Sequence, residues 1–338
     1  MTPYPIGKLP AADLAHLLQK YRSNDPRLIV GSAIGEDAAV IDMGERYLIA
    51  KTDPITFATA EIGWYAVNIN ANDIACRGAT PRWFLATLLL PENSTTPALV
   101  DDIFRQIHAA CAHLGISVAG GHTEITYGLD RPLVIGQMLG EVAPAQLVTS
   151  SGAQAGDDLI LTKGIAIEAT AIIAHEKQAE LSAHFTNAEL IRYANFLHEP
   201  GISVVKDAAV AVAAGGVHAM HDPTEGGVIT GLHEIAEAAR LGVEIFQERW
   251  PLLPESAALC RHFGLDPLGV IASGALLIAA APPSTPAIIA HLAHAGISAT
   301  VIGRLHPPEF GRKLVSPGGR IEPLPVFERD EITRLFEM

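Results

Sequence analysis

The sequence predicts an α+β protein of two domains, and three observations carry that reading. A chain of 338 residues exceeds the size at which one hydrophobic core stops growing. Short apolar runs of strand type alternate with helical patterns along nearly all of it. Near the middle, from Pro144 to Gly156, the chain turns small and polar (Thr149-Ser150-Ser151-Gly152), as a linker would.

Taken in order, Leu14, Leu17 and Leu18 recur at helical spacing between Ala11 and Tyr21, and Ser23-Asn24-Asp25-Pro26 ends that helix. Ala38 to Ile41 and Tyr47 to Ala50 read as strands around a turn at Met43-Gly44. A helix follows from Glu61 to Arg77 and stops at Gly78, with Pro81 beyond it. Strands are predicted at Trp83 to Leu90, Ile116 to Ala119 and Leu133 to Glu141, with a long helix from Pro97 to Leu114. After the linker come a strand at Leu159 to Thr162, helices at Ile165 to Ala174 and Ser203 to Ala214, and a strand at Val217 to Met220. Helices at Gly226 to Leu241, Ser256 to Phe263 and Pro286 to Ala295, and strands at Ala275 to Ala280 and Thr300 to Ile302, complete the series. The expected domains are 1–145 and 155–310, with a tail at 311–338.

Composition narrows the function. With 49% hydrophobic and 18% charged residues the chain is globular rather than disordered. Its 37 acidic and 23 basic side chains give −14, which repels a phosphate backbone and argues against nucleic acid as a partner. Cys76, Cys111 and Cys260 are far apart and form no C-x-x-C pair, so neither a disulfide framework nor a zinc ribbon is indicated and a reducing cytoplasm is expected. The first nine residues lack an apolar signal region, and no window approaches the ~20 apolar residues of a spanning helix, so no membrane association is expected.

The phosphate-loop and dinucleotide-loop glycine patterns are absent, and His233-Glu234-Ile235-Ala236-Glu237 misses the zinc-protease motif by its last residue. What stands out is a set of acidic residues beside Gly, Asn or Thr: Gly35-Glu36-Asp37, Thr52-Asp53, Asn72-Asp73, Gly121-His122-Thr123-Glu124 and Asp222-Pro223-Thr224-Glu225-Gly226-Gly227. Such oxygens suit Mg²⁺, which binds through a few carboxylates plus substrate phosphates. Each taken singly is equally a turn or cap residue. Asn72-Asp73 differs, because two short polar residues inside an apolar helical pattern weaken the helix. Thr224 reads as the N-cap of the helix after the two glycines, whose amides would either face an anion or simply belong to a capped helix with a tight glycine entry.

In this order, with Gly78-Ala79-Thr80-Pro81 and Ser273-Gly274-Ala275-Leu276-Leu277, the motifs resemble the aminoimidazole ribonucleotide synthetase (PurM-like) superfamily, nearest in pattern to its HypE-like hydrogenase-maturation branch. The resemblance spans nearly the whole chain. It implies an N-terminal ATP-binding domain that pairs with its copy in a homodimer to form a β-barrel, and a C-terminal α/β domain closing over the nucleotide. It implies that Asp37, Asp53 and Asp73 hold Mg²⁺ and that Lys8, Gly35, Asn72, Gly120, Gly121, Thr123, Thr224, Gly226 and Gly227 contribute to binding ATP. His122, Glu124, Asp222 and Glu225 are the residues it places at the reacting end. The implied chemistry is ATP-dependent phosphorylation of an amide or carbonyl-type oxygen on a small molecule or a partner-borne group.

Departures from the branch are visible. Its members carry a cysteine near the C-terminus, whereas this sequence ends Arg334-Leu335-Phe336-Glu337-Met338, so modification of its own tail is not expected. They have Gly-Asp-Thr at the place of Gly121-His122-Thr123 and Arg at the place of Glu225, so a differently charged substrate end is expected. Rival readings are a small-molecule kinase of the thiamine-monophosphate kinase type, a non-catalytic ATP-binding maturation factor, and a metallohydrolase built on His218, His221 and Asp222.

Overall fold

The structure, a computed structural model, describes residue 4 and residues 9–33, 35–56 and 60–336. Its first half runs α1 (Ala11–Lys20), β1 (Leu28–Val30), β2 (Ala39–Asp42), β3 (Tyr47–Ile55), α2 (Ile62–Cys76), β4 (Thr80–Pro91), α3 (Pro97–Leu114), β5 (Ser117–Thr126) and β6 (Leu133–Val142). The second half runs β7 (Asp158–Thr162), α4 (Ile167–Glu176), α5 (Gln178–Leu181), α6 (Asn187–Ala194), α7 (Val205–Ala214), β8 (Val217–His221), α8 (Gly227–Ala239) and β9 (Gly242–Phe246). It ends with α9 (Pro254–Phe263), β10 (Leu277–Ala280), α10 (Thr285–His294), β11 (Ala299–His306), β12 (Arg312–Val315) and β13 (Ile321–Pro323).

The first sheet is ordered β1-β2-β3-β6-β4-β5, with only the β4–β5 pair parallel. It is an open sheet with free edges at β1 and β5, and among the described residues no closed barrel forms. The β5 edge is exposed along almost its whole length. The Gly120 to Glu124 stretch therefore belongs to a strand that the sequence reading ended at Ala119. Gly121 has a packing reason for being glycine: its φ is +150°, and a Cβ there would stand 2.0 Å from the Ala86 carbonyl oxygen on β4.

The second sheet is ordered β13-β12-β9-β11-β7-β10-β8, and both of its faces are covered. Along β7, Leu159 and Leu161 pack toward α8 while Ile160 faces the layer of α7 and α10. All five residues of β7 are buried, which explains why it reads as a continuous apolar run rather than an alternating one.

Several elements exceed the sequence reading. β3 continues to Ile55, so Thr52 and Asp53 lie on a strand and not in a turn. α6 opens on a Thr186/Glu189 capping box, a signal visible in the sequence and passed over. α8 ends at Ala239 because Arg240 takes a left-handed conformation, which frees Gly242 to Phe246 to form β9 rather than prolong the helix.

α2 joins the two halves. All of its residues except Trp64 are buried, as expected of a helix that is apolar all round. The side-chain amides of its asparagines donate to backbone, Asn70 to the Ala66 carbonyl and Asn68 to that of Trp64, while the Oδ1 atoms of both stay without a partner. Asn72 reaches across to the second domain, donating to the Ile202 carbonyl at 2.9 Å and accepting from the Val204 amide at 2.8 Å. It is a clamp between domains and does not line the cavity described below. Truncation would orphan two buried backbone groups at ~1–3 kcal/mol each. Asn72→Ala should therefore lower unfolding free energy by about 3 kcal/mol, read as a lower denaturant midpoint at unchanged slope; a shift within error would remove the clamp.

Candidate active site

The cavity between the domains is assembled by strand and helix ends. Alternation along β3 puts Lys51 and Asp53 on one face. The last turn of α2 contributes Asp73, and the segment before β2 contributes Asp37. From the second domain come His221 and Asp222 at the end of β8, Thr224 and Glu225 in the turn after it, Glu168 in the first turn of α4, and Ser273. The structure thus brings together Asp37, Asp53, Asp73, Asp222, Thr224 and Glu225 among the residues the sequence reading singled out.

Cations thread this set. Lys51 Nζ stands 3.1 Å from Asp73 and 3.4 Å from Asp53. Burial pulls that ammonium down, but the charges of Asp73, Asp53 and Asp37 outweigh it and raise its pKa. His221 lies between two carboxylates, with Nδ1 3.5 Å from Asp37 and Nε2 2.8 Å from Glu234. Burial again opposes its charge, and the bonds to Asp37 and Glu234 prevail, so it is an imidazolium near neutral pH. Arg77, buried behind the cavity, pairs with Glu36 at 2.8 Å, stands 3.9 Å from Asp37 and donates to Ser150 at 3.0 Å. Burial pushes Asp37 up, but His221, Lys51 and Arg77 together hold it well below the usual carboxylate range.

The balance still leaves negative charge over. Burial pushes Asp73 up despite Lys51, with Asp222, Asp37 and Asp53 adding to the crowding. Asp222, pushed up to about 6 by burial, accepts from the Cys76 thiol at 3.2 Å, and its Oδ2 has no hydrogen-bond partner. Among the described residues no three His, Cys, Asp or Glu side chains are disposed to hold a metal by themselves. Hard oxygens lining one cavity, one of them orphaned, fit Mg²⁺, which takes one or two carboxylates and completes its shell with water and phosphate.

Other residues lie elsewhere. Gly120, Gly121, His122, Thr123 and Glu124 are on β5, three strands from β3, and do not line the cavity; His122 and Glu124 face solvent 3.4 Å from each other. Gly35 packs against Ala238 of α8. Lys8 lies outside the described residues. α8 is capped by Gly226 in a left-handed conformation and not by Thr224, whose hydroxyl donates to Glu225. Nor is the helix entry open to an anion, because the chain's own Asp330 already accepts from the Gly226 amide at 2.7 Å. Gly227 has a φ of +70°, and a Cβ there would meet the Leu268 carbonyl oxygen at 2.3 Å, so the second glycine serves packing. His218 pairs with Asp157 at 2.9 Å and does not line the cavity with His221 and Asp222, so the metallohydrolase set is not assembled.

Sequence reasoning missed Lys51, Arg77 and Glu168, and had His221 only as a zinc ligand. Glu168 carried a usable signal, a lone acid inside the apolar helical run from Ile165 to Ala174. It is the same signal that singled out Asp73.

An acidic interdomain cavity framed by an open six-stranded sheet and a doubly covered seven-stranded one belongs to a two-domain architecture of the PurM type. Residues 35–142 match the model of the AIR synthase related protein N-terminal domain, and residues 154–311 match that of the C-terminal domain; the chain belongs to this family. It is 30% identical over 301 residues to a carbamoyl dehydratase HypE of Rhizobium leguminosarum bv. viciae, covering 84% of this chain and 81% of that one. To a selenide, water dikinase of Cronobacter sakazakii it is 29% identical over 326 residues, covering 86% and 88%. Its fold matches hydrogenase maturation protein HypE in complex with ATP (TM-score 0.73, 21% identity, 97% and 98% covered). It also matches AaThiL complexed with AMPPCP and TMP (TM-score 0.71, 19% identity, 91% and 93% covered).

Burial of Glu168 pushes its carboxyl up to about 8 from an ordinary 4.5, although the Ser273 hydroxyl and amide act the other way. Across that interval the folded protein holds a proton that the unfolded chain releases, so this group's contribution is full below about 4.5 and is lost progressively as pH rises to about 8. Glu168→Gln should accordingly gain stability relative to wild type between pH 5 and 8 and level off above, by denaturant titration at each pH. A difference independent of pH would contradict the burial argument.

Proposed function

We propose that the chain uses Mg·ATP to phosphorylate an amide or carbonyl-type oxygen, converting a poor leaving group into phosphate. The observation that carries this reading is the single cavity in which Asp37, Asp53, Asp73 and Asp222 converge around Lys51 with too little positive charge to balance them. Family membership and the HypE and selenide, water dikinase relatives support an ATP-dependent enzyme. Asp37, Asp53 and Asp73 would hold Mg²⁺, which supplies charge neutralisation for a triphosphate. Lys51 adds a fixed positive charge beside them, and His221 orients Asp37. No covalent protein nucleophile is required. Among the described residues no helix is long and apolar enough to cross a membrane.

The test is thermal. Mg²⁺ with a non-hydrolysable ATP analogue at a hundred times its Kd should stabilise the protein by about 2.7 kcal/mol and raise Tm by several degrees. Asp73→Asn should abolish the rise. An undiminished rise in that variant would remove Asp73 from the metal set.

The chain also reads as a homodimer joined through its N-terminal domain. In support, β5 leaves a backbone edge unpaired and Ile125 and Tyr127 61% and 87% exposed, an arrangement that a second sheet edge would cover. Pairing of two such edges would also bring His122 and Glu124 of one copy toward the other. Ile125→Asp should shift the sedimentation coefficient from dimer to monomer, and a wild-type protein that sediments as a monomer at micromolar concentration would sink the pairing.

A further inference from the structure

Helix α2 presents two neighbouring stripes to two different cavities. Tyr65, Ile69 and Asp73, at four-residue spacing, line the acidic cavity. Trp64 and Asn68, each one residue earlier and so turned ~100° about the helix axis, line a second cavity of about 740 Å³ at the same domain junction. Asn72, the next residue of that stripe, makes the interdomain clamp. The second domain closes this cavity with Lys163 and the stretch from Asn195 to Ser203. On the α2 wall two buried polar atoms have no partner. Asn68 is fully buried and its amide donates to the Trp64 carbonyl, which leaves Oδ1 as an unused acceptor. Trp64 Nε1 is an unused donor one turn away. Buried polar atoms are normally paired, so an acceptor and a donor left open on one cavity wall point to a ligand that supplies the complement. The Trp64 ring meets His198 edge-on at 4.6 Å between centroids and His113 at 5.8 Å, a setting that suits a flat ring. Among the Lys, Arg, Asp and Glu side chains of the lining the charges balance: Lys163 stands 3.6 Å from Asp207 and Arg192 3.4 Å from Glu255, which leaves Lys206 against Glu199. Unlike the acidic cavity, this one offers no excess charge to an ion.

We propose that this cavity is a second ligand site, and that it takes a neutral planar heterocycle with adjacent N–H and C=O groups, of the lactam or nucleobase type. The ring N–H donates to Asn68 Oδ1 and the neighbouring carbonyl oxygen accepts from Trp64 Nε1. Side chains four residues apart on a helix start from Cβ atoms ~5–6 Å apart, which is within reach of two hydrogen bonds to adjacent ring atoms. The occupant touches both domains beside the Asn72 clamp and so braces their junction. The inference does not rest on the Mg·ATP reading, because no residue of this cavity lines the acidic one.

Uracil is the probe, and dimethyluracil methylated on both ring nitrogens, the same ring without an N–H, is its control. Both are followed by saturation-transfer NMR on the full protein, with and without Mg²⁺ and a non-hydrolysable ATP analogue. Wild type should bind uracil and not the methylated ring, and the nucleotide analogue should leave uracil bound. Trp64→Phe, which keeps a ring and removes the N–H, and Asn68→Leu, which removes the acceptor at similar size, should each weaken uracil binding about tenfold, the loss expected for one buried hydrogen bond. Uracil should also quench tryptophan fluorescence in wild type, and the quench should vanish in Trp64→Phe, which retains Trp83 and Trp250. Trp64→Phe carries the test if Asn68→Leu does not fold. Equal binding of the methylated ring, undiminished uracil binding in Trp64→Phe, displacement of uracil by the nucleotide analogue, or no uracil binding by wild type at millimolar concentration would overturn the proposal. A wild type that binds uracil in this way and gives no response to nucleotide would remove the Mg·ATP reading alone.

Discussion

Carboxylates do not gather out of water unless cations gather with them, and this constraint organises the molecule. Asp37, Asp53, Asp73 and Asp222 arrive from four different segments of two domains, and Lys51, Arg77 and His221 arrive with them. The cations do not cancel the set. Asp73 stays pushed up by burial beside Lys51, and Asp222 keeps an oxygen without a partner. On the proposed reading, a buried site left short of positive charge favours an incoming divalent cation, and a cation held there favours a triphosphate. The fold, the buried helix α2 and the interdomain clamp all serve to hold these side chains where that shortage persists.

α2 bears most of that load. Being buried on nearly all sides, it cannot move without disturbing the first sheet, α3 and the second domain together. Its four polar interior residues are Asn68, Asn70 and Asn72, which satisfy backbone, and Asp73, which is presented to the cavity. Three residues that a helix ordinarily tolerates poorly thus fix the position of the fourth. The same trade is visible at the entry to α8, where Asp330 takes the Gly226 amide that an external anion would otherwise use. The chain spends that helix end on its own stability and leaves the cavity side to Thr224 and Glu225.

Much of the fold was legible because its strands and helices carry their own periodicities. The apolar run at Leu159 to Thr162 and the helical patterns of α2 and α3 were found for the reasons that make them fold. What escaped has physical causes. β1 and β13 are three-residue edge strands with too few side chains to show a period. β9 was hidden behind a helix whose end is set by one left-handed residue, Arg240, that carries no glycine signal. At the site, the acids were legible and their counter-ions were not. Lys51 and Arg77 look like ordinary surface charges until tertiary packing buries them, and His221 gains its partner Glu234 from thirteen residues on. The Gly120 to Glu124 stretch fell beyond the strand predicted to end at Ala119; here Gly121 lets β5 lie close against Ala86.

The most direct measurement is a crystal structure of the protein with Mn²⁺ in place of Mg²⁺ and a non-hydrolysable ATP analogue, using the anomalous signal to locate the metal. The account requires manganese bound to oxygens of Asp37, Asp53 or Asp73 and to the phosphates, with Lys51 drawn away from at least one of its present partners. Nucleotide bound outside this cavity, or bound within it while Lys51 keeps both ion pairs and no manganese touches the carboxylates, would contradict it.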